Sequence, residues 1–478
     1  MKSLNQLTIQ DAHLGLQKKE FSSTDLVKAC LKQIKDRDKE INSFITVAEK
    51  EALADAKKVD QKISKGETIN LLEGIPFSVK DAICAAGIRS TAAAKILDNY
   101  IPPHDATVIA KIRQQGGVMI GKNNCDAWGH GASNENSDYG PVHNPHNLKK
   151  VAGGSSGGSA ASVAADMAIY SIAEDTGGSI RQPAAFCGIV GLKVSYGRNS
   201  RYGIMPMASS LDTVGPMAKT VWDVAAIQEV IGGQDKLDST TVPDKVPQYT
   251  KLLDKSVKGL KVGLPKEYFT SGLDEETAAA VQAAVEQLED LGARIVEISL
   301  PLTKYAIADY YIIVPSEDSS NLARFDGIRY GVHVKGKNLE ETYLKSRAAG
   351  LPDEVKRRIM IGTYALSSGY YDQYYLKAAK VRTLIRREFD QAFEKAEVLA
   401  TPVSPFPAFD LGAKKDDPLE MYLADIFVCP ASLAGLCGLS LPCGKTKAGL
   451  PIGLQLIGPR LKEDRVLNVG HQFEQSQK

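Results

Sequence analysis

Short apolar runs bounded by glycine alternate with helix-patterned segments through the middle of the chain. The runs are GIPFSVKD at 74–81, GGVMIGK at 116–122 and MAIYSIAED at 167–175, with a helical stretch carrying Val108, Ile109 and Ile112 between them. A strand that is apolar on both faces has to be covered on both faces, so this alternation predicts an α/β sheet packed between helices. Strand–helix–strand resumes at LKVGLP, with a helix from Asp274 to Leu291 and ARIVEISL after it. Late strands are read at EVLATP, LSLPCG and GLQLIG. Ahead of the sheet, Ser22, Ser23 and Thr24 offer N-caps to a helix whose apolar positions include Leu26, Val27, Cys30, Leu31 and Ile34. A second helix is expected from about Ala48 to Lys65. The polar, proline-containing stretch from Gly232 to Lys258 reads as a surface excursion, and residues 304–394 read as helical throughout. The organisation expected is one domain over 1–478, with N-terminal helices over about 1–66 and a mostly helical insertion over about 304–394.

Composition narrows the function classes. A chain of 478 residues, 43% of them hydrophobic, can bury a large core. Lys plus Arg (58) nearly cancel Asp plus Glu (57), leaving a formal charge of +1. A protein that grips a nucleic acid backbone unaided carries a basic surplus or a basic run, so any RNA involved is expected on another chain. The seven cysteines are scattered and form no CxxC pair, which points to a reducing cytoplasm and to neither a disulfide framework nor a zinc site. The first twenty residues have no apolar core. The longest uncharged stretch, Ile426 to Gly444, is broken by Pro430 and Pro442, so no membrane span is expected.

Three segments carry candidate chemistry: Lys80 at the end of GIPFSVKD, Ser155 and Ser156 in VAGGSSGGSA, and Ser179 in EDTGGSIRQPAAFCG. Gly/Ser clusters are commonly linkers, and lysines at strand ends are commonly solvated. Here both clusters lie directly against apolar elements, ASVAADMAIYSIA and PAAFCGIVGLK, which is not where a linker sits. Glycine lets backbone amides approach a ligand, and free N–H groups at Thr176, Gly177, Gly178 and Ser179 would form an oxyanion cradle. A serine at that turn attacks a carbonyl only if something takes its proton. None of the seven histidines stands in a recognisable nucleophile–base setting, which leaves lysine. Burial disfavours a lysine's charged form, and Lys80 on an apolar strand fits that demand.

GGSSGGSAA followed by DTGGSIRQPAAFCGIVGLK resembles the signature of the amidase signature family, with matching separations of 75 residues from Lys80 to Ser155 and 24 from Ser155 to Ser179. The resemblance implies a large mixed twisted sheet flanked by helices on both faces. It implies a Ser-Ser-Lys triad, with Ser179 as acylating nucleophile, Ser155 (next to a cis peptide in the family) as proton relay and Lys80 as neutral base. Thr176, Gly177 and Gly178 would form the oxyanion hole. SYGRNSRYGIMPMASSLDTVGPMAKTV, SSNLARFDGIRYG, EVKRRIMIGTYALSSGYYDQYYLKAAKVR and MYLADIF narrow the resemblance to the glutamine-hydrolysing A subunits of tRNA-dependent amidotransferases. That group implies a heterotrimer with B and C subunits. Glutamine is the substrate of this chain, tRNA is held through B, and ATP and magnesium are used by the partner, with no cofactor or metal here. It also implies that Asp425 receives the glutamine ammonium and that Arg358 grips its carboxylate, with the register against Arg357 open. Tyr310 and Ser133 complete the pocket. The family reads close to KTNMDEFAMGSSTENS where this chain has KNNCDAWGHGASNENS, so Cys125, Ala127, Trp128, Gly129 and His130 depart from the pattern.

Several lookalikes fall to blander readings. Gly116 to Lys122 approaches a phosphate-binding loop, but Asn123 holds the Ser/Thr position and VMI reads as strand. His143 and His146 in HNPH read as a surface turn, and YYDQYY as helix packing. The rival function is a stand-alone amidase of small amides, distinguished by full activity without partners and a pocket lacking charged recognition groups.

Overall fold

The computed structural model describes residues 3–269, 272–414 and 417–477. Among these, one sheet of eleven strands runs in the spatial order Phe44–Val47, Val118–Asn123, Pro76–Lys80, Tyr170–Asp175, Thr213–Ala218, Val190–Lys193, Cys437–Lys445, Pro451–Gly458, Val398–Pro402, Lys261–Pro265, Arg294–Ile298. Pro76–Lys80 pairs in parallel with both neighbours, and most of the middle of the sheet is antiparallel, so the sheet is mixed. Every residue of Pro76–Lys80, Tyr170–Asp175 and Pro451–Gly458 is buried, as the glycine-bounded apolar runs require. Side chains alternate between two cores. Phe77, Val79, Met119 and Ile172 enter one, while Val118, Ile120 and Ala173 enter the other.

Helices cover both faces. Ser23–Ile41 starts at a Ser22/Asp25 capping box and ends at Asn42 in the left-handed conformation. Glu49–Ser64, Thr107–Gln114 and Glu275–Asp290 form where the apolar spacing places them. A third core joins Ala306–Asn321 and Lys377–Phe393 to Leu399 and Ile457 of the sheet, through Tyr310, Ile313, Ile385 and Phe389. This contact sets the helical region over the strand ends where the candidate serines lie.

Two expectations are corrected. The 304–394 region is not helical throughout: between the turn Leu322–Arg324 and the helix Leu339–Gly350 the chain is irregular, with Gly327 and Gly331 at positive φ. The irregular stretch is held by rings, Phe325 lying 4.2 Å from Trp128 and Tyr330 lying 5.8 Å from Tyr100. Nor is 232–258 wholly superficial, since Tyr249, Leu253 and Val257 enter the main core. No helix among the described residues is long and apolar enough to cross a membrane.

Tyr170 stacks on Phe77 with centroids 5.2 Å apart, and its buried hydroxyl has no hydrogen-bond partner among the described residues. An unsatisfied buried polar group costs stability. Tyr170→Phe is therefore expected to raise the unfolding free energy by about 1 kcal/mol in a denaturant titration. A loss of stability would show that bound water satisfies the hydroxyl.

Candidate active site

Lys80 ends its strand wholly buried, and its Nζ donates to Ser155 Oγ at 2.8 Å. The same Nζ lies 3.0 Å from Glu174 Oε1. The Gly154–Ser155 peptide is cis, and the helix Gly157–Ala164 follows, built only of Gly, Ser, Ala and Val. Asp126 braces this segment: its N–H donates to Ser155 O at 3.0 Å, and its carboxylate accepts from the N–H groups of Asn134 (2.9 Å) and Asn136 (3.0 Å). Burial pushes the Asp126 carboxyl up to about 7.

Ser179 sits on a turn organised by Asp175, the last residue of its strand. The Asp175 carboxylate accepts from Gly178 N–H at 2.8 Å and Ile180 N–H at 3.1 Å, and pairs with the Arg181 guanidinium at 3.1 Å. Burial alone would raise the Asp175 carboxyl, but Arg181 beside it holds it below the usual carboxylate range. The expectation of four free N–H groups is therefore corrected at one position. Gly178 donates to Asp175, and what it supplies to the turn is a φ of +129° that side-chain-bearing residues rarely adopt. Among the described residues no acceptor takes the N–H of Thr176, Gly177 or Ser179. Ser179 O accepts from Ser156 N–H at 3.2 Å, which ties the two serine segments together. Thr176 Oγ1 donates to Asp212 at 2.7 Å, and burial followed by the charge on Glu174 pushes the Asp212 carboxyl up to about 7.

The residues expected to recognise an amino acid gather beside this turn. A Cβ on Gly177 would stand 2.5 Å from the Tyr310 ring, and one on Gly178 would stand 3.6 Å from Asp425 Oδ1. Burial pushes the Asp425 carboxyl well above the usual range, and the Arg358 charge opposes it. Arg358 is buried on the helix Asp353–Ala365, with Nε donating to Glu354 at 2.9 Å and its guanidinium carbon 5.0 and 5.4 Å from the rings of Tyr311 and Tyr422. Arg357, one residue earlier, points to the surface and pairs with Glu354 there. Arg358 is thus the buried member of the pair, and both arginines line one cavity. Ser133 lines the same cavity as Arg358 and Tyr422, and its buried hydroxyl has no partner among the described residues.

The departing segment 125–130 runs directly beside the lysine and serine. Trp128 and Gly129 both have positive φ, and a Cβ on Gly129 would lie 3.6 Å from Glu174 Oε1 and 3.7 Å from Ser155 Oγ. His130 Nε2 meets Asp318 at 2.8 Å and its Nδ1 meets Trp128 O at 2.8 Å, which anchors the segment to the helix carrying Tyr310. Of the lookalikes, Lys122 is buried on its strand with Nζ donating to Ser90 at 2.6 Å and 3.3 Å from Asp81. His143 and His146 bond to the backbone carbonyls of Leu148 and Cys187. The tyrosines of YYDQYY meet in tilted pairs, Tyr370 with Tyr374 and Tyr371 with Tyr375, around a π-helical turn, with Tyr370, Tyr371 and Tyr374 exposed and not in a core.

Sequence reasoning missed Glu174, Asp175, Arg181, Asp126 and Glu354. One signal was available: two carboxylates, Glu174 and Asp175, close an otherwise apolar strand, and buried carboxylates require partners.

The chain matches the Amidase family over residues 25–467. It is 51% identical to the A chain of glutamyl-tRNA(Gln) amidotransferase from Koribacter versatilis over 98% of each sequence. It is 52% identical to the counterpart from Geotalea daltonii, across 99% of this chain and 98% of the other. The crystal structure of the Thermotoga maritima counterpart superposes with a TM-score of 0.82 at 38% identity, covering 98% of this chain and 94% of that one. With this likeness running nearly end to end, the chain belongs to the amidase family, within the group of glutamyl-tRNA(Gln) amidotransferase A subunits.

Proposed function

We propose that the chain hydrolyses glutamine and supplies the ammonia that converts Glu-tRNA(Gln) to Gln-tRNA(Gln). The observation that carries this reading is a Lys80–Ser155 hydrogen bond together with a buried carboxylate, Asp425, and a buried guanidinium, Arg358, close enough for the charge of one to act on the other. A free amino acid brings an ammonium and a carboxylate, and burying them requires a partner for each. Small neutral amides make no such demand. Arg358 uses Nε on Glu354, while its terminal nitrogens make no hydrogen bond among the described residues and are free for a carboxylate.

In this mechanism Ser179 Oγ attacks the side-chain amide carbon of glutamine, its proton passes to Ser155, and the proton of Ser155 passes to Lys80. The oxyanion develops against the undonated N–H groups of Thr176, Gly177 and Ser179. Collapse returns a proton to the nitrogen and releases ammonia, and water then hydrolyses the glutamyl ester on Ser179. The ammonia passes to a B subunit, which holds the tRNA and uses ATP and magnesium to activate glutamate. A C subunit completes the heterotrimer, in the cytoplasm. The near-neutral charge of this chain accords with leaving the tRNA to its partner.

Ser179→Ala is expected to abolish glutamine hydrolysis. Cys187→Ser should cost little, since Cys187 is buried with its thiol donated to Ala152 O at 3.4 Å. Peptide mass mapping of protein quenched in acid during turnover should place the glutamyl group on Ser179, with hydroxylamine releasing it as the hydroxamate, and acylation elsewhere would overturn the assignment. Lys80→Arg keeps the charge but cannot exchange a proton at working pH, so a folded variant is expected to be almost inactive. Asp425→Ala should lose a charge-assisted bond of roughly 1.5–3 kcal/mol, which is about a 10- to 150-fold fall in kcat/KM for glutamine. Transamidation supplied with ammonium chloride should be spared in that variant. Equal damage to both assays would make Asp425 a structural residue.

A further inference from the structure

The helix Lys377–Phe393 buries Ile385 and Phe389 in the third core and carries Arg382 and Arg386 one turn apart on another face. Arg382 is fixed from three sides: Nε donates to Leu433 O at 2.8 Å, Nη1 to Ser210 Oγ at 2.7 Å and Nη2 to Ser210 O at 2.8 Å. Together with Arg460, just past the strand Pro451–Gly458, these two arginines line a cleft of about 350 Å³. Arg386 makes no hydrogen bond or ion pair among the described residues, and the one bond of Arg460 is a long one, 3.5 Å to Tyr196 O. No carboxylate lines the cleft among the described residues. Like charges four apart on a helix repel, and this chain has 57 acidic residues with which to pair 58 basic ones. Three guanidiniums lining one cleft with no carboxylate among them is therefore a local departure from an otherwise balanced charge.

We propose that this cleft binds a small phosphomonoester. Guanidinium groups present planar forks of N–H donors that match phosphate oxygens, and three positive charges favour a dianion over a single carboxylate. The carboxylates that act on Arg382 come from the neighbouring helix Ala306–Asn321, and neither cancels it. Glu317 is taken up by Ser210, accepting from its N–H at 2.9 Å and its Oγ–H at 2.6 Å. Asp309 has no hydrogen-bond partner among the described residues, and burial pushes its carboxyl up to about 7. The volume exceeds what a phosphate group fills and reaches the range of small-ligand pockets, with Tyr196 and Leu433 in the wall for an organic part. None of the residues lining the cleft belongs to the Ser179 turn or to the pocket of Arg358 and Asp425, so the site is a second one.

Calorimetric titration of the full-length chain with inorganic phosphate and with AMP, at ionic strength matched with chloride, tests this. Both are expected to bind saturably with a dissociation constant of about 1 mM or tighter, and adenosine is expected not to bind. Arg386→Gln and Arg460→Gln each remove one charged donor group and should weaken binding about tenfold or more, and the double variant should abolish it. Both side chains are exposed and outside the core, so the variants should fold and hydrolyse glutamine at the wild-type rate. At low salt without ligand, Arg386→Gln should melt no lower than the wild type, because it relieves the repulsion of Arg382. No saturable heat up to about 10 mM phosphate would overturn the proposal. So would full binding by the double variant. Binding confined to tRNA, lost in the double variant while phosphate and AMP stay silent, would assign the cleft to an RNA backbone and equally overturn it.

Discussion

The Asp175–Arg181 pair organises the rest of the site. Arg181 is fully buried and, besides Asp175, donates to Val428 O (3.0 Å), Ser432 Oγ (2.9 Å) and Gln455 Oε1 (2.6 Å). One guanidinium therefore joins the Ser179 turn to chain segments about 250 residues later. A buried pair of this kind is weak evidence of net stability, since desolvation opposes the attraction, but removing one partner costs roughly 3–5 kcal/mol. Its effect here is geometric. The carboxylate that neutralises Arg181 also holds Gly178 and Ile180 N–H, so the charge that closes the C-terminal strands onto the sheet also shapes the turn under Ser179.

Around this pair the cleft is crowded with carboxyls held in different states by their surroundings. Asp175 is kept ionised by Arg181, whereas Asp126, Asp212 and Asp425 are pushed upward by burial. The contrast follows partnership: only Asp175 has a guanidinium on both oxygens and two backbone N–H groups as well. Asp425, with Arg358 acting on it only through space, is a buried carboxyl that burial holds well above the usual range. Arg358 itself is fixed before any ligand arrives, by Glu354 and by the stacked rings of Tyr311 and Tyr422, whose centroids lie 3.7 Å apart.

The segment that departs from the family pattern is built into the same frame. Trp128 packs on Phe325, and His130 bonds Asp318, so the loop at the lysine and serine is fastened to the helical region that supplies Tyr310. The Asp318 carboxyl is raised by burial, with His130 opposing that shift. The loop beside Lys80 and Ser155 thus shares its support with Tyr310, and movement of the helix Ala306–Asn321 would be felt at both.

By itself, the sequence determined the strands and helices whose signal is local. The apolar runs of Pro76–Lys80 and Tyr170–Asp175, the Ser22 cap and the spacing of Leu26, Val27, Cys30 and Ile34 are each complete within a few residues of chain. The glycine context also marked Lys80, Ser155 and Ser179, since backbone turns at Gly153 and Gly178 demand glycine whatever lies around them. What only the tertiary structure decided depends on which distant groups meet. Which of Arg357 and Arg358 faces inward follows from packing of the helix Asp353–Ala365 against Ala306–Asn321. That Gly178 spends its N–H on Asp175 follows from the direction of one turn, and that 325–338 is not helical follows from rings docking on Trp128 and Tyr100. The partnership of Lys80 with Glu174 spans 94 residues and two strands paired in parallel, and a buried charge finds its partner across the sheet, where no periodicity along the chain records it.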